Sequence, residues 1–266
     1  MKEAFRQRLL RSGKRNELIA KAAGLLSRKR NKKIPHPATP PTIIDTCAGH
    51  GFDGMILAKC GANVCMIERD YATYKRLRDM VRSMRDTPDD YPQLFRDVAR
   101  RIRVVHGDAK DVLRKRDPLE AFLDRVDRSN SNINSSSSSS TSSSICPDEA
   151  PLVVDTIYLD PMHDFDGSEE RRTGRSGSKR QKLWHDLRNE VGNDEDAPEL
   201  LRIALGRSDV RRVVLKSPSS RASRTVMYER LAGDGLPSPT LSYRNRSVRF
   251  DVWIVPNLPQ HYGGGV

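Results

Sequence analysis

Cysteine is scarce in this chain, and what there is does not pair. Cys47, Cys60, Cys65 and Cys146 are the four in 266 residues, and they form no CxxC pair. Neither a disulfide framework nor a zinc site therefore organises the fold, and no metal is expected. Long hydrophobic runs are missing too: none approaches the roughly 18 residues of a membrane span, so no membrane partner is expected. Aromatic residues make up 6% and hydrophobic residues 36%, against 31% charged, a polar balance that implies segments outside the core. One such segment is plain. Every residue from 135 to 144 is serine except Thr141, a run that can bury nothing, and disorder is expected over about 127–150. Acidic residues are nearly absent from one end. Residues 1–42 hold 12 Lys/Arg against 2 Asp/Glu, which leaves 35 against 33 for the remainder. The net charge of +12 is thus a basic arm on a nearly neutral body. An arm of this kind meets polyanions, RNA first among them; a solvated tail and an organelle transit peptide are the alternatives.

What the sequence does have is an alternation of strands and helices. Pro35, Pro37, Pro40 and Pro41 deliver the chain extended into an apolar strand, Ile43-Ile44-Asp45, which runs into Thr46-Cys47-Ala48-Gly49-His50-Gly51-Phe52-Asp53. Gly49 and Gly51 let the backbone bend sharply and approach a ligand with no side chain between. A helix is expected from Gly54 to Lys59, then a strand from Val64 to Ile67 that ends in Glu68, fifteen residues beyond Asp53. The pattern continues with a helix from Asp70 to about Arg85, striped by Tyr74, Leu77, Met80, Val81 and Met84, and a strand Ile102 to His106. Gly107-Asp108-Ala109 opens a further helix, and the run 152–159 reads as a strand buried on both faces that ends in Asp160-Pro161-Met162. A helix around Glu199 to Leu205, a strand Val213 to Lys216, a helix near 219–231 and two strands, near Leu241 and from Arg249 to Val255, complete the pattern. The expected fold is α/β and Rossmann-like: a mostly parallel seven-stranded sheet with a terminal antiparallel hairpin. That hairpin separates it from a plain dinucleotide fold. The chain divides into a basic arm, 1–41, with one packed helix built on Leu18, Ile19, Ala22, Ala23, Leu25 and Leu26; a catalytic domain, 42–256; and a flexible tail, 257–266.

The chemistry gathers at the strand ends. In open α/β sheets ligands sit outside the carboxyl ends of the strands, and Asp53, Glu68, Asp108 and Asp160 all fall at or just beyond such ends. Glu68 suits the two hydroxyls of a ribose, because a carboxylate accepts from both at once. Four acids disfavour a phosphate-rich ligand and favour a nucleoside that carries positive charge, which S-adenosyl-L-methionine does. Asp108 also suits the N-cap of the next helix, and the two roles can coexist. Asp160-Pro161-Met162-His163 resembles the Asp/Asn-Pro-Pro-aromatic signature of methyltransferases that act on exocyclic amines of bases. Such an amine is a poor nucleophile because its lone pair is delocalised into the ring. A carboxylate and rigidly held carbonyl oxygens can accept its hydrogen bonds and localise that pair toward the methyl group; a turn that merely ends a strand is the bland alternative. His163 or Phe165 could stack on an unpaired base, or be structural. Lys216 could meet RNA phosphate or the base, or be solvated.

In the same residues the chain resembles a known family, the small-subunit rRNA methyltransferase J family of guanine-N2 methyltransferases. Asn16 to Gly24 is similar to the family's Gly-Glu-x-x-Ala-Lys-Ala-x-Gly, Asp45 to Asp53 to its Asp-Ala-Thr-Ala-Gly-Leu-Gly-x-Asp, and Glu68-Arg69 to its Glu-Arg. Leu159 to Met162, Val213 to Pro218 and Arg249-Phe250-Asp251 follow in order. The resemblance implies a class I methyltransferase fold, S-adenosyl-L-methionine as cofactor, and small-subunit rRNA as substrate; the expected compartment is the cytoplasm or, from the serine run and the transit-like arm, a mitochondrion. The resemblance also implies cofactor contacts at Phe52, Asp53, Glu68, Arg69, Asp108, Ala109 and Asp160; from the residues themselves, the turn residues Ala48, Gly49 and Gly51 are expected to join them, with Asp160, Pro161 and Met162 at the reaction and His163 and Lys216 toward the substrate. Two departures stand out. His163-Asp164 replaces the family's Phe-Pro, and a short basic piece stands where the family has a small N-terminal domain. The competing readings are another acceptor, adenine N6 or a protein side chain; a ribosome-assembly factor that keeps the fold without turnover; and a nicotinamide-dependent oxidoreductase.

Overall fold

The computed structural model describes residues 3–13, 17–25, 40–86, 91–115, 154–161, 196–219 and 235–255. Met162, His163, the serine run, the tail and nearly all of the helix expected at 219–231 lie outside the described residues.

Among the described residues seven strands form one sheet. They are β1 (Thr42–Asp45), β2 (Asn63–Glu68), β3 (Ile102–His106), β4 (Thr156–Leu159), β5 (Arg212–Pro218), β6 (Leu241–Arg244) and β7 (Val248–Ile254). Their order is β3-β2-β1-β4-β5-β7-β6. The five strands from β3 to β5 are parallel, whereas β7 runs antiparallel to both β5 and β6. The expected mostly parallel sheet with its closing hairpin is what forms. Every residue of β1, β2 and β4 is buried, as a parallel sheet covered on both faces requires. The direction of winding reverses between β1 and β4, and at that reversal the strand ends splay to leave a crevice.

One face is covered by α1 (Glu3–Arg11), α2 (Leu18–Ala22), α3 (Phe52–Lys59), α4 (Tyr71–Asp86) and α5 (Gln93–Arg100), whose buried side chains share one core. The other is covered by α6 (Ala109–Arg114) and α7 (Ala197–Leu205), packed on Ile44, Ile67, Ile157 and Val213. Among the described residues no helix is long and apolar enough to cross a membrane. Cys60 and Cys65 are buried, and burial pushes the Cys65 thiol up to about 12, so it stays a protonated packing residue.

The expected α4 stripe is there: Leu77, Val81 and Met84 are buried, Tyr74 and Met80 half-buried. Two helices go beyond the sequence reading. α5 buries Phe95, Val98 and Ala99, and α1, within the segment read as an arm with one packed helix, buries Phe5 and Leu9. Phe5 stacks on Phe52 with ring centroids 4.2 Å apart, and Lys59 Nζ donates to the carbonyls of Leu10 at 2.9 Å and Ser12 at 2.6 Å and to that of Leu9. α1 is thereby fastened to α3. α2 ends at Gly24, φ 75°, with the Ala22 carbonyl taken by Arg212 at 3.0 Å and the Ala23 carbonyl by Thr156 at 3.1 Å. The Ala-Lys-Ala-x-Gly likeness is thus a short helix, its left-handed stop and the sheet side chains that donate to its last carbonyls.

Candidate active site

The glycine turn follows β1 and precedes α3. Gly49 and Gly51 both have positive φ, 51° and 73°. At Gly49 an added Cβ meets nothing within 4 Å, so only the backbone conformation matters there; at Gly51 it would lie 2.5 Å from Leu77 Cδ1 and 3.3 Å from Met66 Sδ. Strain and crowding together predict that Gly51→Ala costs about 2–4 kcal/mol, read as a lowered urea midpoint at unchanged slope. Gly49→Ala is expected to cost about 1 kcal/mol.

Glu68, the last residue of β2, is buried, and the backbone aims it. Its Oε2 accepts from Gly49 N at 2.7 Å and its Oε1 from Asp70 N at 2.8 Å. Each carboxylate oxygen has a further lone pair for a ligand hydroxyl. The acid that ends one strand and the glycine turn that leaves another are therefore one unit. Asp70 in turn accepts from Thr73 N at 2.7 Å, which starts α4. Asp108 is the N-cap of α6, its Oδ1 accepting from Lys110 N at 2.8 Å.

These elements enclose an open cleft of about 620 Å³, mouth included, at the winding reversal. Its lining takes in Thr46, Gly49, Glu68, Arg69, Asp108, Ala109, Asp160 and Pro161. Of the residues expected at the site, the structure thus brings together Gly49, Glu68, Arg69, Asp108, Ala109, Asp160 and Pro161. Ala48, Gly51, Phe52 and Asp53 are not part of that lining; they form the turn and the start of α3. Sequence reasoning missed Lys110, Asp196, Ala197 and Leu200, which also line the cleft. Lys110 pairs with Asp196 at 2.7 Å and Arg69 with Asp196 at 3.6 Å, so the start of α7 is tied across the cleft to β2 and α6. Nothing in the spacing signals this, because Asp196 is remote in sequence from every motif.

Behind the cleft lies a buried polar cluster. Tyr158 donates from its hydroxyl to Asp53 Oδ2 at 2.7 Å, and Lys216 Nζ sits 2.6 Å from Asp53 Oδ2 and 2.6 Å from Asp160 Oδ2. Lys216, expected to face RNA or solvent, is turned inward. Register explains it: Leu159 pairs with Leu215, so the next residues on the two strands, Asp160 and Lys216, stand side by side. Burial works against the Asp53 charge, but the Lys216 ammonium, then the Tyr158 hydroxyl and Arg8, outweigh it and hold Asp53 below the usual carboxyl range. Burial likewise works against the Lys216 charge and is outweighed by Asp160 and Asp53, so the ammonium is held above its ordinary value.

Asp45 goes the other way. Burial, then the charges of Asp53 and Asp160, push its carboxyl well above the usual range, and its Oδ1 has no hydrogen-bond partner among the described residues. A carboxyl whose folded value is raised contributes most below the ordinary range near 3.8 and loses that contribution as pH rises through the folded value. Asp45→Asn is therefore expected to gain stability relative to wild type as pH is raised from 4.5 to 8. Urea unfolding across that window measures it, and parallel curves for the two proteins would contradict the assignment.

The sheet order, the antiparallel β7 and the acids around one crevice define a Rossmann-like methyltransferase. The glycines alone could not: Gly49, Gly51 and Gly54 have the G-x-G-x-x-G spacing of dinucleotide sites, so the closing hairpin, not the turn, sets this fold apart. The crystal structure of a SAM-dependent methyltransferase from Neisseria gonorrhoeae shares the fold over 99% of this chain and 76% of its own, with a TM-score of 0.50 at 21% identity. The sequence model of the family described as "Putative SAM-dependent methyltransferase" matches residues 1–126 and 128–255, and the chain belongs to that family. It is 28% identical over 255 residues to ribosomal RNA small subunit methyltransferase J of Coxiella burnetii, covering 96% of this chain and 73% of the relative. Against the protein of the same name from Pseudomonas aeruginosa it is 29% identical over 241 residues, covering 91% and 67%. The protein is an S-adenosylmethionine-dependent methyltransferase.

Proposed function

We propose that the chain transfers the methyl group of S-adenosylmethionine to the exocyclic N2 amine of a guanine in small-subunit rRNA, in the cytoplasm or a mitochondrion. The observation that carries this reading is the position of Asp160-Pro161, on the wall of the same cleft as Glu68 and Asp108. The relatives named for small-subunit rRNA support the substrate, as does the basic arm.

The donor set fits the cofactor. Glu68, preset by two backbone amides, would take the ribose hydroxyls, Asp108 and Ala109 would hold the nucleoside, and the acidic end of the cleft suits its positive charge. When bound, the cofactor supplies an electrophilic methyl on a sulfonium. Asp160 accepts a hydrogen bond from the acceptor amine, which localises the nitrogen lone pair, and Pro161 fixes the backbone that presents it. Lys110, Arg69 and Asp196 tie α7 over the opening.

Nucleoside mass spectrometry of purified small-subunit rRNA from cells with and without the protein tests the reading. N2-methylguanosine at one position is expected to vanish without the protein and return with it. Loss of N6-methyladenosine instead would move the acceptor to adenine. No change in any methylated nucleoside, with no cofactor binding by calorimetry, would replace the enzyme with an assembly factor.

A further inference from the structure

The ammonium of Lys216 joins two carboxylates that belong to different elements. Asp53 comes from the first turn of α3, beside the glycine turn, and Asp160 from the end of β4 on the cleft wall. Both of the approaching oxygens lie 2.6 Å from Nζ, and the three side chains are largely buried. Among the described residues, Tyr158 from β4, Asp45 from β1 and Arg8 from α1 also face this cluster, with Arg8 Nη1 4.0 Å from Asp53 Oδ1. Arg8 is half exposed, so solvent screens its pull.

We propose that Lys216 is a positioning residue for methyl transfer: it fixes Asp160 against Asp53 and so aims the carboxylate that receives the acceptor amine, without itself meeting RNA. The inference rests on the role given to Asp160 and names the group that sets it. A carboxylate at a strand end is free to rotate, and a buried ammonium that donates to it and to a second anchored carboxylate removes that freedom. The charge matters as much as the geometry. Without it Asp53 and Asp160 are adjacent, largely buried acids with no cation between them, so one of the two keeps a proton to higher pH than an isolated carboxyl, and a protonated Asp160 donates where it must accept.

The test uses the full chain carrying Lys216→Met or Lys216→Gln, with transfer from labelled S-adenosylmethionine to total small-subunit RNA in single turnover. At pH 7 the rate is expected to fall about 100-fold, as for a misaimed reacting group, and to recover in part as pH is raised toward 9. A rate within threefold of wild type, or a loss equal at every pH, would overturn the proposal. Lys216→Gln keeps a donor without the charge and carries the test if Lys216→Met does not fold. A second arm needs no RNA. Between about pH 5 and 7 the cofactor affinity, by calorimetry, is expected to strengthen with pH more steeply in the variants than in wild type, because only without the ammonium do Asp53 and Asp160 face each other as uncompensated acids. A pH dependence of cofactor affinity that is the same in wild type and variants overturns the proposal. If wild type labels no RNA, the rRNA reading fails, and Lys216 is judged on the cofactor arm alone.

Discussion

Asp160→Ala is expected to lower single-turnover methyl transfer by a factor of about 1000, the upper range for removal of one preorganised polar group at a reacting centre. The fold should survive, because Asp160 lies beyond β4 on the cleft wall rather than in the hydrophobic core. Removing it also leaves Lys216 with Asp53 as a remaining acceptor, so the buried ammonium is not stranded. Cofactor affinity should change far less than the rate. Asp160→Asn sharpens the result: an amide can accept through its oxygen but carries no charge, and an intermediate rate is expected. A rate for Asp160→Ala within tenfold of wild type, in protein that binds cofactor normally, would remove Asp160 from the reaction.

The second large effect is on binding. Glu68→Ala removes a charged acceptor for two ribose hydroxyls, each such hydrogen bond being worth about 1.5–3 kcal/mol, so the cofactor Kd should rise by about 100-fold or more. The same change takes the acceptor from Gly49 N and from Asp70 N. The glycine turn and the start of α4 then loosen together, and a lower thermal midpoint should accompany the weaker binding. Glu68→Gln keeps one acceptor oxygen and should fall between the two in both respects. Calorimetry and thermal melts on the three proteins separate the contributions: if Glu68→Ala weakens binding no more than Glu68→Gln does, the ribose is not where the carboxylate is.

The parts of the fold that were legible in the sequence are those that burial writes into it. β1 to β5 are short apolar runs punctuated by glycine, proline or an acid, and the strand ends so marked are the ends around the cleft. α1 and α5 were missed for different reasons. In α1 five of nine residues are charged or polar, so tertiary packing decides the structure where local pattern is weak; α5 does place Leu94, Phe95, Val98 and Ala99 at helical spacing, a signal that was present in the sequence and short enough to be passed over. The cleft floor could be read because its residues sit next to strand ends. Its far wall could not, since Asp196 reaches Lys110 and Arg69 only once α7 has docked. Lys216 shows the same limit at a single position. Its place at the end of a strand was visible, but its direction follows from the pairing of Leu159 with Leu215, a fact about two strands rather than one.

The fastening of α1 has a practical side. A chain shortened to begin at Leu18 to shed positive charge would uncover the Phe52 ring beside the glycine turn, leave Lys59 without its three carbonyls and take Arg8 away from Asp53. The first eleven residues are therefore no detachable handle. A force applied to them, whether by a fused tag or by a polyanion gripping their arginines, would be felt first at the helix that carries the glycine turn.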